Sequence, residues 1–246
     1  MKIMVIGESC KDIFHYGKCE KLCPDAPVPV FELEDTRENW GMAKNVERNL
    51  NALGAETHIL SNDTAKSIIK KRYMDIRTNH MFLRVDENDH LYGELSESVI
   101  DKTGFSQYDA IVVSDYNKGF LTNNILEKIS LLHEVTLIDT KRILGSWADN
   151  FSYIKLNHKE YENNKPFLTE KLLKKVVITR GIYGSEHCKQ MFPVKDVEVK
   201  DTSGAGDTFL SGLSYQFVKS GDISKSIRFA NECATKVVQK KGVSVV

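Results

Sequence analysis

The sequence predicts an α/β fold built on a mostly parallel sheet. Short apolar runs suited to buried strands recur at residues 3–6, 110–113, 135–138 and 176–179. Segments with helical periodicity lie between these runs, and this alternation is typical of parallel strands covered by helices. A chain of 246 residues that is 41% hydrophobic can bury a sizeable core, so we expect a single domain over residues 1–246. In such folds ligands bind at the carboxyl ends of the strands.

Four helices are predicted from apolar residues that recur at spacings of three or four. The residues that define them are, in chain order, Val46, Leu50 and Leu53; Leu126 and Ile129; Leu210, Leu213 and Phe217; and Ile227, Ala230, Ala234 and Val237. Gly54 follows the first of these helices directly, as expected at a helix end.

Two segments, residues 28–33 and 72–85, break the alternation of strands and helices. Both have strand-like composition with polar positions that would be exposed. They could pair into a small separate sheet, or they could extend one edge of the main sheet.

Charge and cysteine content narrow the range of partners. The 34 basic and 34 acidic residues balance, so no overall field favours nucleic acid or an anionic membrane. The basic cluster at residues 70–72 is predicted to be a solvated surface. An odd count of 5 cysteines indicates a reducing compartment, which makes the cytoplasm the default location. The apolar run at residues 3–6 is too short for a signal peptide or a membrane span.

A glycine-rich turn before the third predicted helix carries the clearest functional signal. It follows Val197 and Val199, whose alternation predicts a strand. At Gly204 and Gly206 the backbone can approach a ligand closely, and the helix start presents unpaired amides suited to a phosphate. Asp207 lies at this electropositive end and could act as a base there. The alternative is a tight connection in which Asp207 only caps the helix.

The string Asp-Thr-Ser-Gly-Ala-Gly-Asp-Thr-Phe at residues 201–209 resembles the C-terminal motif of the ribokinase-like (PfkB-type) sugar kinases. The resemblance implies a three-layer domain with a small β lid, whose strands would fall within about 14–36 and 72–92. It also implies direct, in-line phosphoryl transfer from ATP, with Gly204, Ala205 and Gly206 as the anion hole and Asp207 as the base. A Walker-type phosphate loop has no match in the chain.

Further segments resemble a narrower group, the D-glycero-β-D-manno-heptose 7-phosphate kinases. These segments are residues 23–30 (Cys-Pro-Asp-Ala-Pro-Val-Pro-Val), 82–86, 113–119 and 138–141. The resemblance implies phosphorylation of D-glycero-D-manno-heptose 7-phosphate to the 1,7-bisphosphate, in ADP-heptose biosynthesis. A sugar phosphate needs cations, and Arg72, Arg84 and Lys118 can supply charge-assisted hydrogen bonds, although each could also be a surface residue.

Other site residues are assigned only by this resemblance. Sugar contacts fall on Asp12, Gly41 and Asn45, with a turn or helix cap as the alternative for Asp12. The nucleotide side would comprise Asn157, Thr179, Gly181, Gly184, Asn231 and Gly242. Helix packing or a plain turn explains Asn231 and Gly242 about as well. Glu160 would act on Mg²⁺ through water. The resemblance leaves open a monovalent cation and a homodimer formed through the lid.

The chain also departs from the heptose kinase pattern. Met42 replaces the second glycine of a Gly-Gly pair, Glu8 replaces an aspartate, and Leu156 replaces a proline. Two alternatives therefore stay open: a ribokinase-like kinase for another sugar or nucleoside, and a catalytically weak sugar-binding protein.

Overall fold

The computed structural model describes residues 1–246, which form two β-sheets and seven α-helices. The strands are β1 (Lys2–Gly7), β2 (Ser9–Leu22), β3 (Pro29–Met42), β4 (Glu56–Leu60), β5 (Ile69–Asp75), β6 (Met81–Glu87), β7 (Ala110–Asp115), β8 (Thr136–Thr140), β9 (Tyr153–Asn157), β10 (Val176–Thr179), β11 (Ser185–His187) and β12 (Gln190–Phe192). The helices are α1 (Ala43–Ala52), α2 (Glu97–Lys102), α3 (Asn123–Ser130), α4 (His158–Asn164), α5 (Glu170–Leu173), α6 (Ala205–Ser220) and α7 (Ile223–Val237).

The main sheet has eight strands in the order β12-β11-β10-β9-β8-β7-β1-β4. Every pair from β10 to β4 is parallel, and only the pairs β10–β11 and β11–β12, at one end of the sheet, are antiparallel. The predicted α/β class is confirmed, and the four predicted strands correspond to β1, β7, β8 and β10. The sequence did not predict β4 and β9, because both interrupt their apolar residues with polar ones, such as Lys155 in β9.

Helices cover both faces of this sheet, which makes a three-layer structure. Successive residues of β1 point to opposite faces. Ile3 and Val5 pack with apolar residues of α1, α6 and α7, whereas Met4 and Ile6 pack with residues of α2, α3 and α5. No helix of the chain combines the length and the apolar character that a membrane span needs.

Helix α6 follows the glycine-rich turn as predicted, but the strand expected before it is absent. Residues 193–199 are irregular. Val197 and Val199 line a cavity beside α7 instead of pairing with a strand, which explains their alternation with polar residues. Gly204, with φ 78°, and Gly221, with φ 63°, adopt the left-handed conformation at the two ends of α6.

The second sheet has the order β3-β2-β5-β6 and lies apart from the main sheet, so the edge-extension alternative is wrong. Residues 28–33 contribute to β3, and residues 72–85 contain parts of β5 and β6 with a turn between them. These two segments belong to one sheet but do not pair directly, because β2 lies between β3 and β5. The residue pattern alone did not predict β2, since its polar residues hide the strand signal, but the lid range 14–36 expected from the resemblance includes its second half.

This four-stranded sheet, the lid, rests on the glycine-rich turn and on the C-terminal segment. Phe14, Tyr16 and Met74 of the lid form a small apolar cluster with Val243. The Asn79 side chain donates a hydrogen bond to the Lys200 carbonyl at 2.5 Å, and Lys241 Nζ donates one to the Ile76 carbonyl at 2.8 Å. The lid is thus docked over the carboxyl ends of the main strands.

Leu213 offers a test of the layer that α6 forms with its neighbours. Its side chain is fully buried, whereas that of Leu131 is 67% exposed. We expect Leu213→Ala to lower the free energy of unfolding by about 2–5 kcal/mol, because a cavity replaces a packed side chain. Leu131→Ala should change it by less than about 0.5 kcal/mol. Urea unfolding of both variants measures the difference, and equal losses would contradict this packing.

Candidate active site

The glycine-rich turn forms the floor of the site, with unpaired amides at the start of α6. Position 204 requires glycine, because its φ is 78° and an added Cβ would lie 2.7 Å from Asn45 Nδ2. The backbone amides of Gly204, Gly206 and Asp207 donate to no acceptor within the chain. Three free donors and the positive helix end could hold an anion at the predicted position. The Ala205 amide, predicted as part of the anion hole, is not free, because it donates to the Thr202 carbonyl at 3.2 Å.

Asp207 is buried directly behind these amides and is held by two side chains. Its Oδ2 accepts a hydrogen bond from Asn45 Nδ2 at 3.0 Å, and its Oδ1 accepts one from the Tyr116 hydroxyl at 2.9 Å. Burial raises the pKa of Asp207 to about 6, with the Asp139 charge adding to the rise and the two hydrogen bonds opposing it. The carboxylate is therefore ionised at neutral pH and close to the range in which a base is most effective.

Tyr116 was not among the predicted site residues. It belongs to the segment 113–119 that resembles the heptose kinases, so the signal was present, but only Lys118 of that segment was chosen. The backbone amides of Tyr116 and Lys118 donate to the Glu8 carboxylate at 2.9 and 3.1 Å. Glu8 is fully buried, and burial raises its pKa. Glu8 thus fixes the loop that brings Tyr116 to Asp207.

A chain of alternating charges lies beside the anion site. Lys155 Nζ is 2.8 Å from Asp139 Oδ2, and Lys141 Nζ is 3.2 Å from Asp139 Oδ1 and 2.7 Å from Glu160 Oε1. Burial alone would raise the pKa of Asp139, but the two lysines outweigh it and hold that pKa below its usual range. Asp139, Lys141 and Lys155, with Asp207 and Gly206, line an open cavity of about 630 Å³, the charged cavity.

A second cavity, of about 350 Å³, lies between the lid and Asp207. It is lined by the predicted residues Asp12, Arg72, Arg84 and Lys118. Each of the three cations already has a carboxylate partner: Arg72 pairs with Asp12, Arg84 with Asp86 at 2.5 Å, and Lys118 with Asp89.

Lys70 also lines the lid cavity, so the prediction that residues 70–72 form a solvated surface is wrong for this residue. Its side chain is 8% exposed and lies 2.7 Å from Asp89 Oδ1. The reason is the β alternation: Lys70 and Arg72 project from the same face of β5, and that face points into the cavity. Lys71 points the other way and pairs with Glu87 at 2.6 Å.

At the junction of β3 and α1, Met42 lines this cavity, Gly41 packs against Asp12, and Asn45 contacts Asp207. A Cβ on Gly41 would lie 2.2 Å from Asp12 Oδ2, so a side chain there would displace the carboxylate. Met42 has φ 61° and ψ −134°, a conformation that glycine usually adopts. Its side chain is 3% exposed, lines the cavity and accepts a hydrogen bond from the Tyr92 hydroxyl at 3.7 Å.

A third cavity, of about 330 Å³ and mainly apolar, lies on the other side of the glycine-rich turn. It is lined by Thr179, Gly181, Gly184 and Asn231, four of the residues that the resemblance assigns to the nucleotide side. The Asn231 amide is used structurally, because it donates to the Phe192 carbonyl at 2.8 Å and accepts from Ser185 at 3.2 Å.

The structure does not bring Gly242 to the apolar cavity. Its amide donates to Asp201 Oδ2 at 3.0 Å, and its α-carbon faces the Tyr16 hydroxyl in the lid. The C-terminal segment turns toward the lid here, so Gly242 lies on the other side of the turn from the nucleotide-side residues.

Asn157 and Glu160 form a capping box at the start of α4. The Glu160 amide donates to Asn157 Oδ1 at 2.9 Å, and the Asn157 amide donates to Glu160 Oε2 at 2.6 Å. Glu160 Oε1 is already paired with Lys141, and no group of three or more acidic, His or Cys side chains forms a metal cage. This donor set fits a hydrated Mg²⁺ that arrives with nucleotide phosphates, held through its waters.

The parallel sheet, the lid and the glycine-rich turn between them define the ribokinase-like class of fold. The structure is similar to that of a ribokinase from Thermotoga maritima, with a TM-score of 0.74, 17% identity and coverage of 98% of this chain and 94% of that one. A nucleoside kinase from Methanocaldococcus jannaschii gives a TM-score of 0.71 at 16% identity, covering 98% and 93% of the two chains. At these identities the likeness establishes the fold.

Sequence comparisons show similarity to one protein family and to one group of bacterial proteins. The model of the pfkB family carbohydrate kinases matches residues 148–245. The bifunctional protein HldE of Helicobacter pylori strain J99 is 30% identical over 98% of this chain, and that of a Nitratiruptor species is 28% identical over 99%. The chain spans about 63% and 62% of the length of these two relatives. The family match at residues 148–245 includes the motif at residues 201–209.

Asp207→Asn tests the proposed base. The variant should keep the fold and bind ATP, but lose turnover by about 10²- to 10⁴-fold, because the amide cannot take a proton. In the unmodified protein, turnover should fall as the pH drops below about 6, since protonation removes the base. Steady-state kinetics between pH 5 and 9 measure both effects, and near-normal turnover in the variant would remove Asp207 from this role.

Tyr116→Phe tests the support that Tyr116 gives to Asp207. Loss of this hydrogen bond removes a contact that lowers the pKa of Asp207, so the acidic limb of the pH–rate profile should move to higher pH. Tyr215→Phe, on the part of α6 outside the three cavities, is the matched control. If both variants keep the profile of the unmodified protein, the hydrogen bond to Asp207 has no catalytic effect.

Proposed function

We propose that this chain is an ATP-dependent sugar kinase that transfers a phosphoryl group directly to an acceptor hydroxyl. The observation that carries the proposal is the position of the glycine-rich turn among the three cavities. Asp207 and Gly204 line both the lid cavity and the charged cavity, while Gly206 lines both the charged cavity and the apolar cavity. A nucleotide in the apolar cavity and a sugar under the lid would therefore meet at the unpaired amides.

The chemistry follows from the residues at this junction. Asp207, ionised at neutral pH, takes the proton of the acceptor hydroxyl as that oxygen attacks the γ-phosphorus of ATP. The P–O bond to ADP breaks on the opposite side, and the unpaired amides of Gly204 and Gly206 stabilise the charge that spreads over the phosphoryl oxygens. Mg²⁺, when bound with ATP, would neutralise phosphate charge, with Asn157 and Glu160 holding its waters. No covalent intermediate with the chain is required.

Closure by the lid would protect this step. Water competes with the sugar for the phosphoryl group, so a site that excludes water favours transfer over hydrolysis. The contacts of Asn79 with Lys200 and of Lys241 with Ile76 hold the lid against the turn that carries Asp207.

For the acceptor we propose D-glycero-D-manno-heptose 7-phosphate, converted to the 1,7-bisphosphate. The support is the set of heptose kinase motifs and the similarity to HldE proteins over nearly the whole chain. The lid cavity adds a chemical argument, because Lys70, Arg72, Arg84 and Lys118 give it four cations from the lid strands and the β7 loop. Such a set suits an acceptor that already carries a phosphate.

Met42 favours a second candidate, a kinase for a different sugar or sugar phosphate. A methionine in a strained conformation occupies part of the lid cavity at the position where the heptose kinases have glycine. Its bulk would restrict the acceptor that fits next to Asp12. Reaction type is independent of this choice, because Met42 lies on the acceptor side only.

We also propose that the lid contacts a second copy of the chain, and that the protein works in the cytoplasm. Phe31, Tyr73 and Phe82 form an aromatic cluster on the lid, with ring centroids 5.3 and 6.0 Å apart, and Phe82 and Leu83 are 40% and 56% exposed. All five cysteines are unpaired, which suits a reducing compartment.

An acceptor panel tests the proposed function. We expect ADP release from Mg-ATP with D-glycero-D-manno-heptose 7-phosphate, and little release with ribose, fructose, fructose 6-phosphate or no sugar. Asp207→Asn serves as the control for contaminating kinases. Activity with another sugar alone would keep the kinase and reject the heptose phosphate, whereas no release with any acceptor would support the sugar-binding alternative.

A further inference from the structure

We propose that Lys155 is a further phosphate-binding residue, a fixed cation behind the Gly204–Gly206 turn that contacts the phosphoryl group being transferred. This inference rests on the kinase function proposed above and adds to it a residue outside the recognised motifs. Neither the apolar periodicity nor the motifs of the sequence indicated a role for Lys155.

The position of Lys155 follows from the strand register. Asp139 in β8 and Lys155 in β9 are paired residues on neighbouring parallel strands, so their side chains leave the sheet on the same face. Their side chains are only 4% and 3% exposed. A lysine is rarely buried to this degree, because removing the ammonium from water is costly unless it is paired.

Lys155 does not use all of its hydrogen-bond donors within the chain. An ammonium group has three donors. Lys155 Nζ makes one hydrogen bond, to Asp139 Oδ2 at 2.8 Å, and no other acceptor in the chain is within reach. Lys141, in contrast, has two carboxylate partners, Asp139 and Glu160. Lys155 is therefore a buried charge with two unused hydrogen-bond donors, and buried polar groups in proteins usually have a hydrogen-bond partner.

The remaining donors face the anion site. An ideal Cβ built on Gly206 would lie 3.0 Å from Lys155 Nζ, so the ammonium packs against the turn itself. Lys155 also lines the charged cavity, together with Asp207 and Gly204. An anion bound by the turn amides would thus meet the ammonium from a second side. Any side chain at position 206 would separate the two.

A phosphate oxygen supplies the missing acceptor. A cation that contacts the phosphoryl group also favours the ionised form of Asp207, since the Lys155 charge lowers the pKa of that carboxyl. Lys155 would then stabilise the transferred phosphoryl group and keep Asp207 ionised. Because ADP lacks the γ-phosphate, the contact should distinguish Mg-ATP from Mg-ADP.

Isothermal titration calorimetry with Mg-ATP and Mg-ADP, in the absence of acceptor, tests this contact. We expect the unmodified protein to bind ATP more tightly than ADP, and Lys155→Met to reduce that ratio of dissociation constants by about 10-fold or more. The acidic limb of the pH–rate profile should also move to higher pH. Lys174→Met, at an exposed position, is the matched control and should leave both readouts unchanged.

A second variant guards against misfolding. Lys155→Met leaves Asp139 with one lysine, so the double variant Lys155→Met/Asp139→Asn removes the pair without leaving an unbalanced charge. A folded variant, single or double, that keeps the ATP-to-ADP ratio of the unmodified protein would overturn the role of Lys155. Failure of the unmodified protein to bind either nucleotide would overturn the kinase function itself, and with it this inference.

Discussion

The buried carboxylate of Asp207 is the interaction on which the arrangement of the site depends. It receives one hydrogen bond from Asn45 in α1 and another from Tyr116 in the loop after β7, so three separate parts of the chain meet at one side chain. Ser211, one turn further along α6, donates to the Val46 carbonyl at 3.1 Å and holds α6 against α1. Moving the carboxylate would leave the buried donors of Asn45 and Tyr116 unpaired, and this cost keeps the three parts of the chain together.

Charge is organised locally in this molecule, although the chain is neutral overall. The lid and the β7 loop bring one set of cations to the acceptor side, and β8, β9 and their connections bring Lys141 and Lys155 to the phosphate side. Asp207 lies between the two sets. Each of these cations is paired with a carboxylate, so the site can be partly buried without a large net charge.

The sequence predicted the fold class well because parallel strands buried on both faces leave a plain apolar signal. It located the glycine-rich turn and Asp207 for a similar reason, since the turn needs specific residue types. The apolar pattern failed at β9 and β2, where buried or inward-facing polar residues serve the site rather than the core, and those polar positions include Asp12 and Lys155. Lys70 looked like one member of a surface cluster, because only strand register shows which residues of a basic run point inward.

A structure with bound Mg²⁺ and a non-hydrolysable ATP analogue would test the central claim most directly. We predict that the terminal phosphate lies within hydrogen-bonding distance of the unpaired amides of Gly204, Gly206 and Asp207, with the adenine in the apolar cavity beside Gly184 and Asn231. A terminal phosphate bound away from the glycine-rich turn, or a nucleotide base under the lid, would contradict the account.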